Sequence, residues 1–118
     1  MEQSLFHKYG GFAKVSKIVL ALYERVLDDD ELGPFFDDVD MARIVDHQTK
    51  FIASLLGGPV AYTDEHIRNM HRHLAIGPAH FEQLKRILAA TLADHGFTPE
   101  DVDQVVLEFE KRRDLVVG

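Results

Sequence analysis

The sequence predicts an all-α fold, and three observations predict it. Apolar residues recur at steps of three and four almost from end to end. No stretch alternates apolar and polar residues for long enough to argue a strand. Glycines, prolines and capping residues fall at the breaks between the periodic segments.

A short first helix, over about Ser4 to Tyr9, stops at Gly10-Gly11, a pair that favours chain reversal. The next helix carries Val15, Ile18, Val19, Leu22 and Val26 on one face and ends near the acidic run Asp28-Asp29-Asp30. Gly33-Pro34-Phe35-Phe36 follows; two adjacent phenylalanines in a turn want cover, which predicts a packed corner. A third helix runs from around Met41 to Leu56 and is closed by Gly57-Gly58-Pro59. Thr63 can cap a short fourth helix, whose positive N-terminal end suits Asp64 and Glu65. A fifth begins at Pro78, carries Phe81, Leu84, Leu88 and Leu92, and stops at Gly96. Thr98-Pro99-Glu100-Asp101 reads as a cap, a first-turn proline and an acidic first turn. The last helix is expected to bury Val102, Val105, Val106 and Phe109.

With 118 residues the chain is expected to make one domain, 1–118, since it is too short for two independent cores. Its charge of −7 repels phosphate backbones and anionic lipid, which argues against nucleic acid and membrane as partners. No apolar run approaches the roughly 18 residues of a spanning helix. The opening MEQSLFHKYGGF has neither the basic start nor the apolar core of a signal peptide, so a cytoplasmic protein is expected. The absence of cysteine excludes disulfides, thiolate-held zinc, iron–sulfur clusters and haem attached through C-x-x-C-H. Seven histidines are then the obvious metal-capable side chains.

The informative residues are polar ones on apolar faces. In the third helix the inward face reads Ile44, Gln48, Phe51, Ile52 and Leu55, with His47 beside it. Further on, Ile67, Met70, His71 and Leu74 share a face, so His71 points inward among large apolar neighbours. Tyr23 lies between Val19 and Val26 on its helix, which puts its hydroxyl at the edge of the core. Burying such groups unpaired costs a few kcal/mol each, so each needs a partner in the chain, in water or in a ligand. Taken alone, the pattern leaves His71 open as a satisfied core histidine or a metal ligand. His66, His71 and His73 do not share a face, which gives a zinc or di-iron site little support. There is no phosphate-binding glycine loop and no nucleophile motif.

The strings YGGFAKVSKIVLALYERVL, GPFF, DMARIVDHQTKFIASLLGGP, YTDEHIRNMHRHLAI and HF together resemble a group I truncated globin, from about Tyr9 to Val117. Short pieces such as Gly-Gly-Pro say little. The combination of Gly10-Gly11, Tyr23, Phe35-Phe36, His47-Gln48, Gly57-Gly58 and the inward His71 carries the resemblance. It implies a two-over-two helical sandwich around one haem b (iron protoporphyrin IX), with His71 as the proximal axial ligand. Phe36 matches the phenylalanine packed on the porphyrin, and Tyr23 and Gln48 match a distal pair that hydrogen-bonds a gas on the iron. Ile44 takes the place where other globins often put a distal histidine. Phe51, Ile52, Met70, Ile76, Phe81, Leu84 and Leu88 are then expected against the cofactor, with Tyr62, Lys50, Arg68 and Arg72 near its propionates.

His47 departs from the commoner family pattern, which has Lys or Arg there. The resemblance leaves it three roles: a hydrogen bond to a propionate, a second axial ligand, or a solvated surface histidine. Some relatives attach haem covalently through a late histidine; the final helix has none, so that bond is not expected. The implied activity is reversible binding of O2, NO and CO, with nitric oxide dioxygenase chemistry driven by an external reductase. The alternative is a non-enzymatic haem module for oxygen storage or delivery, gas sensing, or electron transfer through a bis-histidyl iron. The oligomeric state is expected to be a monomer or weak homodimer.

Overall fold

Helix α1 spans Leu5–Lys8 in the computed structural model, which describes residues 4–36, 40–59, 65, 67–68 and 76–117. Ser4 caps it, its hydroxyl accepting from the His7 amide at 3.3 Å. Gly10 and Gly11 then take φ of 108° and 71°, a left-handed pair that side chains resist, and the chain reverses into α2, Gly11–Asp28. Val15, Ile18, Val19, Leu22 and Val26 are buried on α2 as their spacing predicts.

The phenylalanine corner is one turn of 3-10 helix, Gly33–Phe36. Asp29 builds it: one carboxylate oxygen accepts from the amides of Glu31 (2.9 Å) and Leu32 (3.0 Å). Gly33 is buried, and a Cβ there would stand 2.6 Å from the Leu27 carbonyl oxygen, so only glycine lets the corner close on the end of α2.

Helix α3, Met41–Leu55, is capped by Asp40, which accepts from the amides of Ala42 (3.1 Å) and Arg43 (3.4 Å). Glu65, Ile67 and Arg68 are helical, with Ile67 buried; the Thr63 cap expected before them lies outside the described residues. Helix α4, Pro78–Asp94, starts at its proline, and α5, Pro99–Glu110, at its own, with Thr98 accepting from the Asp101 amide at 3.3 Å. Val106 is only partly buried. A further turn, α6 (Arg113–Val116), escapes the periodicity because it is short and half charged.

Two helix pairs make the architecture, α2 with α3 and α4 with α5, and α2 also lies against α4. Phe81 of α4 and Phe109 of α5 are stacked, with centroids 4.6 Å apart and planes at 5°, and the Arg113 guanidinium caps Phe81 at 4.6 Å. The N-terminus is tied to the other end of the chain. Asp101 accepts from Lys8 (2.7 Å) and from the Tyr9 hydroxyl (2.5 Å), while the Tyr9 ring stacks on Phe97 at 3.7 Å. No helix among the described residues is long and apolar enough to cross a membrane.

Charge holds α6 in place. Arg113 pairs with Glu110 (2.6 Å) and with Glu82 of α4, and Lys85 bridges the same two carboxylates. The Arg113 guanidinium first, then the Lys85 ammonium, pulls the Glu110 carboxyl from its ordinary 4.5 down to about 2. A depressed carboxyl stabilises the fold fully above its unfolded value and loses that contribution as pH falls towards 2. Between about pH 6 and pH 3, the urea midpoint of the native chain should therefore fall further than that of Glu110→Gln. Parallel curves would show that the network adds nothing to stability.

Candidate functional site

Tyr23 faces inward on α2 and is 7% exposed. Burial pushes its hydroxyl well above the usual phenol range, because a phenolate there would lose its water. The group is therefore neutral at any ordinary pH and available as a hydrogen-bond donor; among the described residues nothing occupies it. Its ring meets Phe36 edge to face, centroids 5.5 Å apart at 84°. The corner that Asp29 builds thus also orients the tyrosine.

Phe36 opens onto a small apolar recess of about 30 Å³. The corner contributes Leu32, Phe35 and Phe36, α2 contributes Val26, and Ile76 with His80 and Leu84 form the opposite wall. Two contacts join the walls: the Gln83 amide donates to the second Asp29 carboxylate oxygen at 2.8 Å, and the His80 ring stands edge-on to Phe35 at 4.9 Å. His80 is fixed in turn by its Nδ1, which accepts the Gly77 amide at 3.2 Å.

Of the residues expected against the cofactor, Phe36, Ile76 and Leu84 come together here. Phe51 and Ile52 are buried on α3, and Leu88 is buried one turn beyond Leu84. Ile44 and Gln48 are half-buried, one turn apart on α3. Phe81 turns to α5, stacking on Phe109 rather than lining the recess. Arg68 is exposed, and Lys50 is paired with Asp46 at 3.2 Å. Tyr62, Met70, His71 and Arg72 lie outside the described residues. His47 is half-buried, and its Nδ1 is wholly enclosed with no hydrogen-bond partner among the described residues. Such an atom costs free energy unless something fills the space beside it.

Sequence reasoning missed Leu32, Phe35 and His80 as lining residues. Phe35 and Leu32 are signalled only by their nearness to Phe36. His80 carries a weak signal of its own, three residues after Gly77 at capping-box spacing.

This side fits a flat apolar cofactor with a polar reacting centre. It offers an apolar recess, a neutral phenol that can donate, and an enclosed ring nitrogen with its bonding capacity unused. Among the described residues no three His, Asp or Glu side chains converge as a metal site.

Comparison with known proteins agrees with that chemistry. The bacterial-like globin family matches residues 4–117. Group 1 truncated hemoglobin GlbN of Synechocystis is 38% identical over 103 residues, covering 84% of this chain and 82% of that protein. The group 1 truncated hemoglobin of Tetrahymena pyriformis is 30% identical over 116 residues, covering 98% of this chain and 96% of that one. The Fe(III) crystal structure of truncated hemoglobin from T. pyriformis matches with a TM-score of 0.88, at 30% identity over 98% of this chain and 99% of that one. The 2/2 hemoglobin of Synechococcus matches with a TM-score of 0.89 at 29% identity, over 98% of each chain. With this family match, these relatives and these helix pairs, the chain belongs to the bacterial-like globins as a group 1 truncated haemoglobin, a haem-based binder of diatomic gas.

Proposed function

We propose that this globin is a haem b nitric oxide dioxygenase of the cytoplasm. It would combine dioxygen and nitric oxide to nitrate, one electron per turnover coming from a separate reductase. The observation that carries the reading is Tyr23, buried, neutral and held edge-on by Phe36. When bound, haem supplies the iron at which gas is held and at which the oxygen of dioxygen is passed to nitric oxide. The chain's own residues do the rest. His71 would hold the iron. The Tyr23 hydroxyl donates a hydrogen bond into the pocket, keeping its proton throughout, and the Gln48 amide is the second donor. Phe36, Ile76 and Leu84 keep water out, which strengthens both bonds. Rapid mixing of the oxygenated protein with nitric oxide tests the proposal. One nitrate per haem is expected, within the mixing time. Nitrite, or a rate no faster than that of the free gases, would overturn it.

The enclosed Nδ1 of His47 favours a second reading, in which this histidine closes the distal side as a sixth ligand and the protein transfers electrons. Visible spectra of the ferric and dithionite-reduced protein decide it. Split low-spin ferrous bands that vanish in His47→Ala assign the ligand to His47. Identical high-spin spectra for both proteins leave the distal side open and return the weight to Tyr23 and Gln48.

A further inference from the structure

We propose that the outward face of α2 pairs with the same face of a second copy of this chain, antiparallel across a two-fold axis, as a weak homodimer. Ala13, Leu20 and Leu27 stand seven residues apart on α2, so they form one stripe along the helix. All three are exposed, Leu20 by 50% and Leu27 by 44%, while the helix buries its opposite side in the core. Two half-exposed leucines one heptad apart, with a small alanine one heptad before them, give the helix an apolar line on its outward side.

The charges beside the stripe name the occupant. Lys17 and Glu24 are also seven apart, both exposed, and neither has an ion-pair partner among the described residues. The midpoint of Ala13 and Leu27 is residue 20; that of Lys17 and Glu24 lies half a residue further on. A single dyad at Leu20 therefore satisfies both sets. It sets Leu20 on Leu20 of the second copy and the small Ala13 under Leu27 of the second copy. It also brings Lys17 opposite Glu24 of the second copy, and each of these last contacts occurs twice. Parallel pairing would set Lys17 against Lys17 and Glu24 against Glu24, like on like. The face is complementary to itself in one orientation only.

The stripe offers on the order of 300 Å² of apolar surface per copy, well under the roughly 800 Å² per partner of a standard stable interface. Two chains of charge −7 also repel each other, although about 0.15 M salt screens this beyond about 8 Å. So small a contact supports weak association only, and a dissociation constant on the order of 10⁻⁴ M is the expected scale.

Sedimentation equilibrium of the haem-loaded protein, from about 10 µM to about 1 mM at about 0.15 M salt, tests it. The polypeptide mass of 13.4 kDa should rise towards twice that value across the series. Leu20→Glu should stay monomeric throughout. Lys17→Glu should weaken association by about fivefold or more, and K17E/E24K should return it to within about twofold of the native value. Because these positions are exposed, the variants should keep native helicity by circular dichroism. A mass fixed at the monomer, a dimer that Leu20→Glu leaves untouched, or a double reversal that fails to restore association each overturns the proposal.

Discussion

His71→Ala is expected to abolish stable haem binding: the purified variant should lack most of its Soret absorbance and should lose added haem to apomyoglobin within the mixing time. Among the described residues no other group is placed to take over that bond. The chain contains no cysteine, and no three metal-binding side chains converge among the described residues. What remains is apolar contact with residues such as Phe36, Ile76 and Leu84, without a bond to the iron. Added imidazole should restore part of the Soret band by entering the vacated position. A variant that retains a native spectrum without imidazole would remove His71 from the proximal role.

Replacing Tyr23 with phenylalanine should speed oxygen dissociation by about tenfold to a hundredfold, since a hydrogen bond to a charged acceptor is worth about 1.5–3 kcal/mol. The ring of the variant keeps its edge-to-face contact with Phe36, so packing is conserved and only the donor is lost. The raised pKa of the hydroxyl adds a second expectation. The native off-rate should stay flat well into alkaline pH, because the phenol does not ionise in the working range. Laser photolysis or stopped-flow displacement by carbon monoxide measures both. An off-rate unchanged in Tyr23→Phe would place the stabilisation elsewhere, with Gln48 the next residue to test.

Much of the fold was legible because helix formation here follows local rules. The apolar spacing on α2 predicts its buried face residue by residue, and Ser4, Thr98, Pro78 and Pro99 mark helix starts where the chain places them. Helix α6 was not legible. It is one turn long, and it owes its place to ion pairs with Glu82, 31 residues away, which no local pattern announces. The site divides in the same way. Tyr23 and Gln48 stand out as polar groups on apolar faces, whereas the haem role proposed for His71 rests on family resemblance alone, since spacing also allows a satisfied core histidine. Leu32, Phe35 and His80 line the recess through contacts between distant segments, such as Asp29 with Gln83. Periodicity says which way a side chain points, but not which distant wall it will meet.

The Asp29–Gln83 bridge has a consequence for how the cofactor enters. One carboxylate both shapes the corner and ties it to α4, so the separation of the two walls is set by folding rather than by the guest. A slot whose width is fixed beforehand asks little ordering of the chain when it fills, so less of the binding energy is consumed in closing it.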